Sequence, residues 1–286
     1  MTQPNGAVAI LPNNMKLGLR PGALPLNGLI WPLGQPEDLQ GGQLSDLGPQ
    51  DHLVVFPRET LHIRPSFGTR AQVSIVIMEP AAIHGLHMKL LRLTHRRFHK
   101  VLTTDEALLK AIPNGVFFPF GSTWVPDWET LDTTKTHMGS LIASTKRSQE
   151  GHVLRHAIAD WITAEGIEAD LMGGGYAPFK DKSDGLAPYR YSVVIENVRE
   201  KNYFTEKLID AILCKTVPIY WGCPNIGDFL DTSGMVICHS EDDVRRAIEA
   251  MSEEDYQTRL PGLLATQPKA ADYGAIFQRA ARAVLA

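Results

Sequence analysis

The sequence predicts an α/β protein of two consecutive halves, each a mainly parallel sheet covered on both faces by helices. Three observations carry this expectation. Short apolar or β-branched runs recur along the chain, each the length of a buried parallel strand. Between them lie stretches whose apolar residues repeat at helical spacing, and such alternation builds parallel sheets through crossover helices. With 286 residues, 44% of them hydrophobic, the chain also sits at the size where one core gives way to two.

Taken in order, residues 11–50 are rich in Pro, Gly, Asn and Gln with scattered leucines, which predicts an irregular but ordered segment. Strands are expected at Leu53–Phe56 and Val73–Met78, and a helix over Ile83–Leu93. Phe98–Thr103 reads as a strand, Thr104–Ala111 as a short helix capped by Thr104 or Asp105, and Val116–Phe120 as a strand. Ser122–Thr136, with Pro126 and no clear period, is the expected linker. The second half runs through a strand at Met138–Ser144, a helix at His152–Ala164 and a strand at Tyr191–Ile195. A helix at Tyr203–Cys214, strands at Val217–Trp221 and Met235–Cys238, and a helix at Asp242–Met251 follow. The expected domains are 1–135 and 136–286, with the last helix, near Tyr273–Leu285, crossing back.

Composition excludes some classes of function. A net charge of −4 and a pI near 6.2 give no global attraction to polyanions, so no nucleic-acid partner is expected. Cys214, Cys223 and Cys238 form no CxxC pair and cannot all pair with one another, which suits a reducing compartment. The start, MTQPNGAVAILPNN, lacks a basic stretch followed by a long apolar run, and no segment reaches the roughly 18 apolar residues that span a bilayer. The expectation is a cytoplasmic protein, peripheral to a membrane at most. Its one dense basic run, Arg92 to Lys100, reads either as a contact for an anionic membrane or as a solvated edge, and the second is favoured. His95 with His99, and His152 with His156, are four apart, but neither pair has a third ligand, so no metal site is expected. Gly173–Gly175 lacks dinucleotide-motif spacing and reads as a turn.

The informative stretch is YSVVIENVREKNYFTEKLIDAILCKTVPIYWGCPNIGDFLD, Tyr191 to Asp231. A buried strand delivers Glu196 and Asn197 at its carboxyl end, where ligands of parallel sheets bind. A helix then follows whose first turn is expected to carry Tyr203, Thr205, Glu206 and Lys207. Leu208, Ile209, Ile212 and Leu213 fall on one face of that helix and can pack on the sheet while its polar start attracts phosphate. On spacing alone, a solvated first turn with no ligand is an equal reading.

The run IEN…NYFTEKLIDAILCKTVPIYWG.P resembles the signature block of the family 10 fucosyltransferases, in the order and spacing of its EN, Y.TEK, VP and WG. A weaker stretch upstream, LIASTKRSQEGHVLRHAIADW, is similar to the family's strand, loop and arginine-bearing helix. The resemblance implies a GT-B-like fold, two Rossmann-like domains facing across a cleft. It implies an inverting glycosyltransferase that moves L-fucose from GDP-fucose to a hydroxyl of a glycan acceptor, with no obligatory cofactor or metal. By position it assigns Arg155 and Lys207 to the donor diphosphate, Glu206 to the ribose, and Tyr203 and Asn197 to the donor pocket, with Glu196 and Thr205 as further candidates. An arginine fork and an ammonium can together offset the charge that grows on a leaving diphosphate. Inversion also needs a base for the acceptor hydroxyl. The strand Val73–Met78 runs straight into Glu79–Pro80, which makes Glu79 the candidate, at a place similar to the family's base. The alternatives are a GT-B transferase for another nucleotide sugar, or a non-catalytic nucleotide- or carbohydrate-binding module.

Overall fold

A computed structural model describes residues 6–286, so the first five residues of the start read above, MTQPN, lie outside the described residues. The chain divides into one unit running up to Pro119 and including Ile276–Ala286, and a second of Phe120–Ala275. This division falls before the expected boundary at 135/136, and the hydrogen bonds of residues 120–136 explain why. Thr123 Oγ1 and the Trp124 N–H both donate to Asp210, at 2.6 and 3.0 Å. Lys135 Nζ donates to the carbonyls of Ala187 and Cys214, each at 2.8 Å. The expected linker is thus bonded into the second unit near both of its ends.

The first unit is a five-stranded parallel sheet in the order β1 (Val8–Ile10), β2 (His52–Val55), β3 (Gln72–Val76), β4 (Val101–Thr103) and β5 (Gly115–Phe117). Its helices are α1 (Glu59–Ile63), α2 (Ala81–Thr94) and α3 (Glu106–Ala111). Asp105 caps α3 by accepting from the Leu108 N–H at 2.5 Å. β1 and α1 were not legible in the sequence. Between β1 and β2 the chain forms four short 3-10 turns whose Leu26, Leu44 and Leu47 are fully buried, so the segment is ordered by its leucines rather than by a regular ladder.

The second unit contains β6 (His137–Ile142), α4 (Glu150–Glu165), β7 (Ala169–Met172), β8 (Tyr189–Ile195), α5 (Glu206–Leu213), β9 (Val217–Trp221), β10 (Val236–Ile237), α6 (Glu241–Glu249) and α7 (Glu253–Gly274). All pairings are parallel, in the order β10-β9-β8-β6-β7. The chain therefore winds one way from β6 to β7 and the other way from β8 onward. The winding reverses between β6 and β8, and ligands of such sheets bind at the carboxyl ends beside a reversal of this kind. α7 was not expected, because Pro261 and Pro268 lie inside it and proline ordinarily ends a helix. Ser252 caps its start, accepting from the Asp255 N–H at 3.2 Å. The closing helix, α8 (Ile276–Leu285), belongs to the first unit, where Lys100 Nζ donates to the Ala283 carbonyl at 3.0 Å.

Candidate functional site

Seven of the eight residues singled out in the sequence lie in the second unit, and most of them meet at the reversal between β6 and β8. β8 ends at Ile195, so Glu196 and Asn197 leave the sheet on its carboxyl side. α4 starts beside them. A Cβ on Gly151 would stand 1.7 Å from the Glu196 carbonyl oxygen, so only glycine lets the first turn of α4 approach this closely. The Gly151 N–H donates to the Asn197 carbonyl at 2.9 Å, fixing the contact.

One turn further along α4, Arg155 reaches back to the same place. It is only 5% exposed, and its Nη2 donates to Asn197 Oδ1 at 2.8 Å. Among the described residues no carboxylate is within ion-pair distance of its guanidinium, and its buried Nε has no hydrogen-bond partner. Burial pulls its pKa below the ordinary range, against the opposing fields of Glu196, Tyr203 and Glu206. A buried cation with an unmet donor is costly unless an anion completes it.

α5 supplies the facing group. It begins at Glu206, three residues later than its apolar pattern suggested, and Thr205 is its cap rather than part of its first turn. Tyr203 lies ahead of the helix in the loop, 3% exposed. Thr205 is held by Glu196, whose two carboxylate oxygens accept from the Thr205 N–H and Oγ1, both at 2.8 Å. Lys207 Nζ lies 3.2 Å from Thr205 Oγ1, 3.3 Å from Glu206 Oε1 and 3.7 Å from Glu196 Oε2. Burial pushes the fully enclosed Glu196 carboxyl up, and Lys207 pulls it back only in part. For Glu206 burial acts upward too, but Lys207 and Lys182 outweigh it and lower its pKa. For Lys207 burial acts downward, and Glu196 with Glu206 outweigh it and raise its pKa. The ammonium is therefore held charged beside the start of a helix, as an anion site requires.

Two residues of this network escaped the sequence. Lys182, on a short 3-10 turn, lies 3.9 Å from Glu206 Oε1 and 2.8 Å from Asp210 Oδ2. Nothing in its local sequence marks it. Asp210 did leave a signal: an acid on the wholly buried stretch Leu208–Leu213, with no exposure at all. It holds the Thr123–Trp124 segment and Lys182 against α5. Trp124 itself is 67% exposed, with the Lys182 ammonium 5.1 Å from its ring centre.

Glu79, the eighth residue, belongs to the first unit. It lies in the turn after β3, partly buried, and its N–H donates to His84 Nδ1 at 3.4 Å. It is a carboxylate at a strand's carboxyl end, although β3 stops at Val76 rather than Met78.

The histidine pairs have structural partners. His95 and His99 do not share a helix face, since His95 lies in a 3-10 turn and His99 beyond it. His95 Nδ1 contacts Asn114 Oδ1 at 3.0 Å. His156 is held between Tyr176 and the Lys146 carbonyl, at 2.9 and 3.2 Å. Among the described residues no three His, Cys, Asp or Glu side chains are grouped to hold a metal. Gly173 does follow a strand, β7, and its φ of 99° together with the Ala143 carbonyl, 2.5 Å from where a Cβ would sit, accounts for the glycine. A cavity of about 490 Å³ opens between α4 and the start of α6, lined by Val153, Leu154, Arg199, Trp221 and His239 among others. None of the seven residues above lines it.

No protein-family model matches the chain. It is 31% identical over 124 residues to an α-(1,3)-fucosyltransferase of Helicobacter pylori, covering 41% of this chain and 24% of that protein. It is 38% identical over 53 residues to a putative fucosyltransferase-like protein of Arabidopsis thaliana, covering 18% of this chain and 10% of that one. The chain thus matches a quarter or less of the length of these relatives. Among solved structures, an α1,3-fucosyltransferase with GDP aligns over 81% of this chain and 77% of its own, at a TM-score of 0.50 and 17% identity. TarM aligns over 83% and 55%, with a TM-score of 0.51 and 11% identity. An α-glucosyltransferase with UDP aligns over 85% and 82%, also at 0.51 and 11%. In fold the chain is of GT-B architecture, with two Rossmann-like units, and part of its sequence is similar to fucosyltransferases.

Proposed function

We propose that the chain is a glycosyltransferase that moves L-fucose from GDP-fucose to a hydroxyl of a glycan acceptor, with inversion at the sugar's anomeric carbon. The observation that carries this reading is Arg155: a buried guanidinium with an unmet donor, set beside Asn197 at the winding reversal and near the Lys207 ammonium. That is the arrangement a diphosphate completes. The similarity to named fucosyltransferases supports the sugar, and the likeness to an α1,3-fucosyltransferase solved with GDP supports the nucleotide.

In this reading Arg155 and Lys207 bind the diphosphate, and Glu206, kept ionised by Lys207 and Lys182, accepts from the ribose hydroxyls. Tyr203 and Asn197 wall the pocket. Glu196 and Thr205 hold the start of α5 in place. The acceptor oxygen attacks the anomeric carbon, the bond from that carbon to the phosphate oxygen breaks, and GDP leaves with the bonding pair. Glu79 takes the acceptor's proton. The two cations stabilise the charge as it moves onto the diphosphate, which is where differential binding lowers the barrier.

The test is calorimetric titration with GDP, UDP and GDP-fucose in the presence of EDTA. Saturable binding of GDP and GDP-fucose, but not UDP, is expected. The likeness to a UDP-bound α-glucosyltransferase, at a TM-score of 0.51, favours a second reading with another nucleotide sugar, and UDP preference would select it. Absence of any nucleotide binding would reject both. Glu79→Ala is expected to leave donor affinity unchanged and to abolish most turnover. Undiminished turnover would remove Glu79 as the base.

A further inference from the structure

α2 buries one side and leaves an apolar stripe on the other. Leu91 and Met88 face the core, 0% and 7% exposed, whereas Ile83, Leu86 and Leu93 are 43%, 54% and 83% exposed. At 100° per residue the three outward side chains fall within an arc of about 80°. The neighbouring helix α1, joined to α2 by His62, whose ring nitrogens lie 2.9 Å from Thr94 Oγ1 and 3.1 Å from His87 Nδ1, adds Ile63 at 81% exposure. Four of the exposed large apolar side chains of the structure are thus gathered on two adjoining helices. Scattered exposed leucines need no explanation, but an apolar stripe along one helix face does.

The charges beside the stripe have one sign. From Ala81 to Arg97 the chain contains no Asp or Glu. Lys89, Arg92 and Arg96 are exposed, and among the described residues no carboxylate pairs with them. The basic run legible in the sequence is not itself the patch: Arg97 turns inward to the Leu61 carbonyl and the Phe67 ring, and Lys100 is tied to Ala283. The outward cations begin earlier, at Lys89, and share α2 with the apolar stripe. A second copy fits this face poorly, because a twofold would bring each copy's unpaired cations toward their own kind. An anionic bilayer fits both halves of it, taking the leucines into the boundary of its acyl region and pairing the cations with lipid phosphates.

We propose that the outer face of α2, with Ile63 of α1, docks this protein onto an anionic membrane surface. The contact is peripheral, since no described helix is long and apolar enough to cross a bilayer. It stands apart from the donor-site reading, whose residues lie in the second unit. The chain's net charge of −4 opposes attraction to an anionic surface, so any such binding has to be local.

The test is flotation of the purified chain with vesicles of equal parts phosphatidylglycerol and phosphatidylcholine, and with phosphatidylcholine alone. Binding to the mixed vesicles, little to the neutral ones, and release at high salt are expected. Lys89→Glu/Arg92→Glu should weaken binding by on the order of tenfold or more, and Leu86→Glu/Leu93→Glu should abolish it. All four side chains are exposed, so both variants should melt with the wild type. The proposal is overturned if the wild type does not float with anionic vesicles, or if the variants float as well as it does. It is equally overturned if the Leu86→Glu/Leu93→Glu change instead dissociates a dimer that binds no vesicle.

Discussion

Arg155 is the side chain whose environment makes least sense for stability alone. A buried guanidinium that contacts an amide oxygen but no carboxylate, with one N–H unmet, costs desolvation that nothing in the unit returns. Residues of this kind are kept for what they bind. Arg155→Met should therefore leave the ligand-free melting temperature unchanged or raise it, while weakening GDP binding by about 1.5–3 kcal/mol, the scale of a lost charge-assisted hydrogen bond. Melting curves and calorimetry on the same preparation check both. A large fall in melting temperature would make Arg155 structural. Lys207→Ala should cost a similar amount of donor affinity, and unchanged affinity would remove α5 from the site. Both residues were singled out in the sequence only through the resemblance to the family's motifs, since spacing alone left a solvated helix start as an equal reading. Lys182 was not: it meets Glu206 only because the 3-10 turn that carries it is brought against α5 through Asp210.

At the scale of elements, the site depends on how closely α4 meets the end of β8. Gly151 admits that approach, and its N–H bond to the Asn197 carbonyl sets the register that aims Arg155 at Asn197. Gly151→Ala would drive a methyl into the Glu196 carbonyl oxygen, and the helix would have to retreat. Destabilisation of at least about 3 kcal/mol, the upper end of overpacking costs, is expected in urea unfolding followed by circular dichroism, together with loss of GDP binding. A change below 1 kcal/mol would mean that α4 can shift freely. The elements themselves were largely visible as periodic runs. α5 is the instructive difference, for its apolar stripe fixed its body but not its start. Thr205 is extended and bonded to Glu196, and that contact across the β8–α5 loop, rather than any local preference, decides where the helix begins. α7 was hidden for the opposite reason, since Pro261 and Pro268 argue locally against a helix that Tyr256, Leu263 and Ala270 anchor by burial.

For the molecule as a whole, the two units carry different electrostatic loads. In the first, burial and the neighbouring His87 bring His62 and His84 down to about 4. Both fall below the unfolded value near 6.5, so between those values the unfolded chain takes up protons that the folded chain refuses. The stability contributed by the neutral rings is whole above about pH 6.5 and is lost as pH falls toward 4. The melting temperature should therefore drop between pH 7 and pH 5, with a shallower slope in His62→Gln. A flat profile would show that these rings titrate normally. The sequence by itself determined the class of fold, the strand and helix alternation, and the order of the motifs, because burial imposes periods of 2 and 3.6 that survive in one dimension. Only the tertiary structure decided the placing of β8 beside β6, the reversal of winding there, the boundary at Pro119, and the pairing of Lys182 with Asp210 and Glu206. These rest on contacts between residues far apart in the chain, which leave no local period to read.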